Sequence, residues 1–223
     1  PLPAPAPDLA AAAAAAAAAA PCSLLEGSAA DGRARVAGVL RRGGAAAVQG
    51  VLAQRGVPEA AQALDLHPFE GPYCGALDTI RQVAAGPGEA PGVALLGSMP
   101  LQRGELLRLD VAMPGRAAQL QVSYLMKSNE IVHLVPSRPE AAGARLRLGE
   151  PGPGFTGWEV DEPFGTDMIL VIASDRPLFA QPRPVVENLD DYLAALAAAL
   201  REARRQGHQV SARAVVVETV ARR

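Results

Sequence analysis

Apolar and polar residues alternate along much of residues 93–179. Leu107, Leu109, Val111 and Met113 take one side of 105–113, with Arg108 and Asp110 on the other. In 119–126, Leu120, Val122, Tyr124 and Met126 oppose Gln119, Gln121 and Ser123. A period of two is the signature of a half-buried strand. KSNE at 127–130 reads as a turn, so 131–135 returns as the second arm of a hairpin. Shorter strands follow at 145–148 and 158–161. The run MILVIA at 168–173 is apolar at every position, as in a central strand covered on both sides. Short strands at close spacing, punctuated by Gly and Pro, predict an antiparallel β-sandwich.

The period then changes. Asn188 suits a helix N-cap, and Leu189, Leu193, Leu196 and Leu200 recur at helical spacing. Asp190 and Asp191 sit in the first turn and Arg201, Arg204 and Arg205 near the end, matching the helix dipole. Gly207 ends the helix, and the valine-rich 210–219 predicts a last strand that adds to a sheet edge. Upstream, residues 22–88 read as a small α/β module. RARVAGVL (33–40) is a strand, 45–55 a helix closed by Gly56, ALDLHPF (63–69) a strand, and 75–85 a helix buried through Leu77, Ile80, Val83 and Ala84. This β-α-β-α order resembles small envelope-associated modules of the BON type. GPGEAPG at 86–92 is a breaker cluster and marks the boundary.

Residues 1–21 are of low complexity: PLPAPAP, Asp8, Leu9, then eleven alanines. Alternating proline favours an extended spacer, and a short alanine helix capped by Asp8 is marginal alone in water. The expected organisation is a Pro/Ala-rich linker (1–21), a small α/β module (22–88) and a β-sandwich-like domain with a C-terminal helix and strand (89–223). The fold class is α+β.

Charge changes little. There are 21 basic and 23 acidic residues, Lys127 is the only lysine, and no basic stripe or aromatic platform suggests nucleic acid. No run reaches the roughly 18–20 apolar residues that cross a bilayer. The chain starts at Pro1 with no signal peptide, which reads as a fragment with any anchor or catalytic domain upstream. Cys22 and Cys74 allow one disulfide. The chain-entropy account gives it roughly 4 kcal/mol for a loop of about 50 residues, and it implies an oxidising compartment. Two reduced, buried thiols are the alternative.

Motifs for chemistry are sparse. Gly152, Gly154 and Gly157 satisfy G-x-G-x-x-G, but a dinucleotide site needs a helix N-terminus next, and Trp158–Asp161 alternates like a strand. His67, His133 and His208 lack metal-type partners at short spacing. His133, on the face of Ile131 and Val135, reads as a satisfied core or edge histidine rather than a base. Glu159, Asp161 and Glu162 form an acidic cluster that reads as a solvated turn, and Asp65, Asp78 and Glu70 carry no argued pairing. No catalytic, cofactor or metal residue is assigned, and an enzyme ranks third. A polar pocket converging on His133 or on Asp161 and Glu162 would revive it.

One resemblance adds to this reading. Leu120, Val122, Tyr124, Val132, Leu134 and Pro136, then Pro163, Gly165, Asp167, Ile169, Ala173, Ser174, Pro177 and Leu178, match a hairpin followed by "P.G.d.i..ias..pl". That pattern is similar to a bacterial domain of unknown function found C-terminal to serine/threonine kinase and caspase-like domains, and it covers about 90 residues. The family carries a Gly in the turn where this chain has Ser128–Asn129, and Asn tolerates the left-handed conformation required there. Pro21–Cys22 and GPYCGALDTIR (71–81) resemble the region preceding that domain.

The resemblance implies a non-catalytic accessory region, sensory, regulatory or partner-binding, at the C-terminal end of a bacterial Ser/Thr kinase-like protein. Its partners are then a protein or small-molecule ligand and an upstream kinase-like or membrane segment of the same chain. An extracytoplasmic location is expected, with a cytoplasmic one as the alternative. The rival function is a structural envelope or secretion-associated assembly protein.

Overall fold

The computed structural model describes residues 6–83 and 89–222. The first five residues of the predicted linker (PLPAP), the predicted helix end at 84–85, the first three breaker residues at 86–88 and Arg223 lie outside the described residues.

The alanine run is helix α1 (Leu9–Ala19), and Asp8 caps it by accepting the Ala11 N–H at 3.0 Å. It is not a spacer. Ala12, Ala13 and Ala16 are buried, packed into a core with Ala34, Val36, Val48 and Leu52. A face of methyl groups lets backbones approach closely, and β1 (Ser23–Ala30) exploits this. A Cβ built on Gly27 would lie 2.3 Å from the Ala13 carbonyl oxygen. Tertiary packing thus stabilises a helix too short to persist alone.

From β1 the chain turns through Asp31 and Gly32, both at positive φ (54° and 70°), into antiparallel β2 (Arg33–Arg41). A two-residue Asp-Gly turn with both φ positive matches strand twist. Helix α2 (Ala45–Gln54) then leads to β3 (Gln62–Phe69), which pairs parallel with β2. Gly56, at φ 73°, follows the helix as expected. The sheet order is β1-β2-β3.

The chain divides into two compact units between Glu70 and Gly71, not at the breaker cluster. The predicted helix at 75–85 is α3 (Cys74–Arg81), and it belongs to the second unit. Its buried face is Ala76, Leu77 and Ile80, and it packs against the C-terminal helix α4 (Leu189–Arg205). The apolar stripe of α3 finds its partner within the second unit, so the turn at Gly71–Pro72, and not the denser breaker cluster, marks the boundary.

The second unit is a β-sandwich. Its smaller sheet centres on β6 (Leu106–Ala112), flanked on one side by β4 (Gly92–Leu96) and on the other by β9 (Arg145–Leu148) and β10 (Trp158–Glu159), all antiparallel. The larger sheet contains β5 (Leu101–Gln102), β7 (Ala118–Leu125), β8 (Glu130–Glu140), β11 (Thr166–Ser174), β12 (Val186–Asn188) and β13 (Val210–Val220). Their order is β12-β8-β7-β11-β13-β5, antiparallel except for the β13–β5 pair.

The sheets share one core. Leu107, Leu109 and Val111 of β6 meet Leu120 and Val122 of β7 and Ile169, Val171 and Ala173 of β11. Met168, Leu170 and Ile172, on the opposite face of β11, are buried too, which explains the unbroken apolar run. The valine-rich strand does not lie at an edge as expected. β13 runs beside β11 over nine pairs, and only the two-residue β5 lies beyond it. Asn188 caps α4, accepting from the N–H groups of Asp190 (2.9 Å) and Asp191 (3.3 Å). The α+β class, the sandwich and the closing helix and strand are as the sequence predicts.

Candidate functional site

Three constellations in the second unit combine polar chemistry with burial. The first centres on Asp167, which is 2% exposed at the start of β11. Its carboxylate accepts from the Tyr124 hydroxyl at 2.7 Å, the Lys127 N–H at 3.0 Å and the Tyr73 hydroxyl at 3.3 Å. Tyr73 also donates to the Thr166 carbonyl at 2.8 Å. Burial, then the Asp167 charge, push both phenols well above the usual tyrosine range, so they stay protonated donors. Gly165 adopts φ 144°, and the Lys127 ammonium donates to the Phe164 carbonyl beside it. Asn129 takes the left-handed φ of 67° in the preceding turn. Tyr124 from the matched hairpin and Gly165 and Asp167 from the matched segment about 40 residues later therefore form a brace between the β7–β8 hairpin and β11.

The second is a buried relay. His133 Nδ1 lies 3.0 Å from Ser123 Oγ, and its Nε2 lies 2.8 Å from Glu187 Oε1. Glu187 in turn accepts from Arg183 Nε at 2.9 Å, and a second Arg183 nitrogen reaches its other oxygen. An ionised carboxylate only accepts, so a neutral His133 carries its proton on Nε2 and accepts from Ser123 at Nδ1. Burial acts to raise the Glu187 carboxyl, but Arg183 and then His133 overcome it and hold the group below the usual carboxylate range. The Tyr192 ring of α4 stands edge-on to His133 at 4.9 Å. Arg183 sits over the Phe179 ring at 5.5 Å.

Spacing alone would suit a serine nucleophile, a histidine base and an acid. Accessibility decides otherwise. Ser123 is 2% exposed in an interior strand, and His133 is covered by Tyr192. A reacting carbonyl needs room beside the hydroxyl and donors for its oxyanion, and none of the described cavities reaches Ser123. His133 is the satisfied core histidine expected, but Val135 does not share its face. β8 carries an extra residue between the pairs Val122–Val135 and Ser123–His133, and this bulge turns Val135 into the sandwich core.

The third constellation is a cleft of about 260 Å³ where the two sheets part. Leu107 and Trp158 from the smaller sheet face Tyr124, Val132, Leu134 and Val217 from the larger one, with Met126 alongside. Glu159, Asp161 and Glu162 stand at its margin. Arg103 pairs with Asp161 at 3.0 Å and with Glu162 at 3.6 Å, all three side chains being more than half exposed. The acidic cluster is solvated, as expected, and it also rims an apolar hollow. Its signal in the sequence was the mixture of Trp158 and Val160 with carboxylates in one short segment.

The remaining candidates stay apart. His67 pairs with Asp65 at 3.2 Å on the surface of the first unit, and Glu70 pairs with Arg42 there. Asp78 pairs with Arg81 at 3.4 Å along α3, and His208 lies 3.5 Å from Asp175. The glycine-rich segment folds into a tight turn, with Gly152 and Phe155 exchanging backbone hydrogen bonds at 2.8 and 3.0 Å before β10, so no helix N-terminus follows it. Cys22 directly precedes β1 in the first unit, and Cys74 opens α3 in the second. Among the described residues, no group of three or more His, Cys, Asp or Glu side chains is arranged to hold a metal ion, and no helix is long and apolar enough to cross a membrane. No family model matches the chain, and neither a curated protein nor a solved structure matches it at a significant level.

Proposed function

We propose that this chain is an accessory, non-catalytic binding region of a larger bacterial signalling protein of the Ser/Thr kinase-like kind. The observation that carries the binding role is the apolar cleft between the sheets, with an indole and a phenol ring in its wall and carboxylates at its margin. Convergent apolar walls with a few polar groups are the usual form of a recognition site. The sealed relay argues in the same direction, because Ser123 has no room for a substrate. The kinase-like context rests on the matched hairpin and β11 pattern, several of whose positions meet in the Asp167 brace.

The test of that context is the reading frame upstream of Pro1. A kinase-like, caspase-like or membrane-anchoring segment is the expected result, and a gene with none of these overturns it.

A second reading, assembly within the cell envelope, has one specific observation in its favour. The edge strand β12 and the residue before it expose Val186 (50%) and Val185 (71%). Exposed apolar edges invite strand pairing. Sedimentation over a wide concentration range separates the two readings, since assembly through this edge predicts association that Val185→Lys abolishes.

A further inference from the structure

The cleft between the sheets has a wall chemistry and a rim chemistry that together narrow its ligand. Trp158 and Tyr124 supply aromatic surface, and Leu134 and Val132 supply aliphatic surface. The Tyr124 hydroxyl is committed to Asp167, so that residue presents its ring rather than a donor. Three carboxylates, Glu159, Asp161 and Glu162, stand at the rim, and Arg103 pairs with the last two of them. Glu159 has no ion-pair partner among the described residues.

Such a rim repels phosphates and carboxylates. A bare metal ion fits poorly as well, since the hollow beneath is apolar. At about 260 Å³ the space lies below the roughly 300 Å³ at which pockets for drug-sized ligands begin, so it suits one or two side chains. Cations also gain from lying against aromatic faces, most of all tryptophan.

We propose that the cleft binds a peptide segment that presents an apolar side chain beside a cationic one, the apolar group entering between the sheets and the cation meeting Glu159, Asp161 and Glu162. This rests on the reading of the sandwich as a binding region and names what it takes.

Trp158 is the only tryptophan in the chain, so its fluorescence reports on the cleft directly. The experiment titrates the intact chain with three probes: N-acetyl-leucyl-arginine amide, N-acetyl-leucyl-leucine amide and N-acetyl-leucyl-glutamate amide. The arginine probe is expected to give a saturable change with a dissociation constant of about a millimolar, as suits so small a contact. It should bind at least about threefold more tightly than the neutral probe and more tightly still than the acidic one. Added salt should narrow that difference. The exposed pair Asp161→Asn and Glu162→Gln should remove most of it without disturbing the fold.

Equal binding of all three probes overturns the cationic partner and leaves a charge-indifferent apolar binding site. No response to any probe overturns both the cleft ligand and the binding role of the sandwich. A preference for arginine that survives the paired substitution overturns the assignment of the rim.

Discussion

Glu187 shows how one carboxylate can fasten several elements. It stands in β12, accepts from Arg183 in the preceding loop and from His133 in β8, and lies at the foot of α4. Because its folded-state pKa is depressed, it contributes stability that is complete above its ordinary unfolded value of about 4.5 and is lost as pH falls through the lower folded value. Urea midpoints measured at about pH 6 and about pH 3 should therefore fall further in the parent chain than in Glu187→Gln. Equal falls would show that the pairing adds nothing.

Tyr192, its buried neighbour, behaves differently. Burial pushes its phenol up and nearby Ser123 offsets only part of this, yet no hydrogen bond of good geometry forms at its hydroxyl. Removing a buried hydroxyl that makes no bond removes a desolvation penalty. Tyr192→Phe should be neutral or stabilising, by up to about 1 kcal/mol in urea denaturation. A loss of about 1 kcal/mol or more would mean that Ser123 does bond it. At this scale the sequence was informative about His133, whose apolar setting marked it as a core residue. It was silent about Val135, because a bulge breaks the alternation without changing composition.

Among the elements, α1 and β1 meet backbone to backbone. The Cβ of an alanine at position 27 would overlap the carbonyl group of Ala13, and a backbone atom cannot rotate aside as a side chain can. Gly27→Ala should cost about 2–3 kcal/mol in urea denaturation, at the upper end of overpacking effects. The exposed Ala14→Lys, on the other side of the same helix, should cost less than about 0.5 kcal/mol. If both are neutral, the helix is not held against the strand.

The helices and strands with clean periods were legible: β2, α2, β3, β6, β7, β11 and α4. β1 was not. Its residues are nearly all half-buried, so SLLEGSAA shows neither alternation nor an apolar run. The usable signal stood just after it, in the Asp31–Gly32 dipeptide that closes the hairpin. The packing of α1 left no hydrophobic stripe to read either, since an all-alanine helix has the same composition on its buried and exposed faces.

For the whole molecule, the question the sequence poses most directly is the state of Cys22 and Cys74. We expect a thiol count on denatured, unreduced protein exported by its own host to find neither sulfur free. Two free thiols would withdraw the extracytoplasmic location and leave a cytoplasmic accessory region. Fold class was legible at this scale because it rests on periodicity, which every strand repeats. The unit boundary was not, because Gly71–Pro72, which marks it, competes with the denser breaker cluster at 86–92, and only the packing of the helix between them decides which is the boundary. The cleft was hidden for another reason. Its walls come from positions as distant as Leu107 and Val217, and only the stacking of two sheets brings them together.

The alanine helix also bears on how this gene can change. Consider the alanine run lengthened or shortened by one residue. In a helix faced with leucine, one added residue turns everything before it by about 100° and carries the apolar stripe away from the core. Here the turn brings another alanine to the place of the first, so the surface offered to Gly27 is unchanged and only Leu9 and the Asp8 cap move. The tract can drift in length while keeping its contact, a tolerance that no more varied sequence would give.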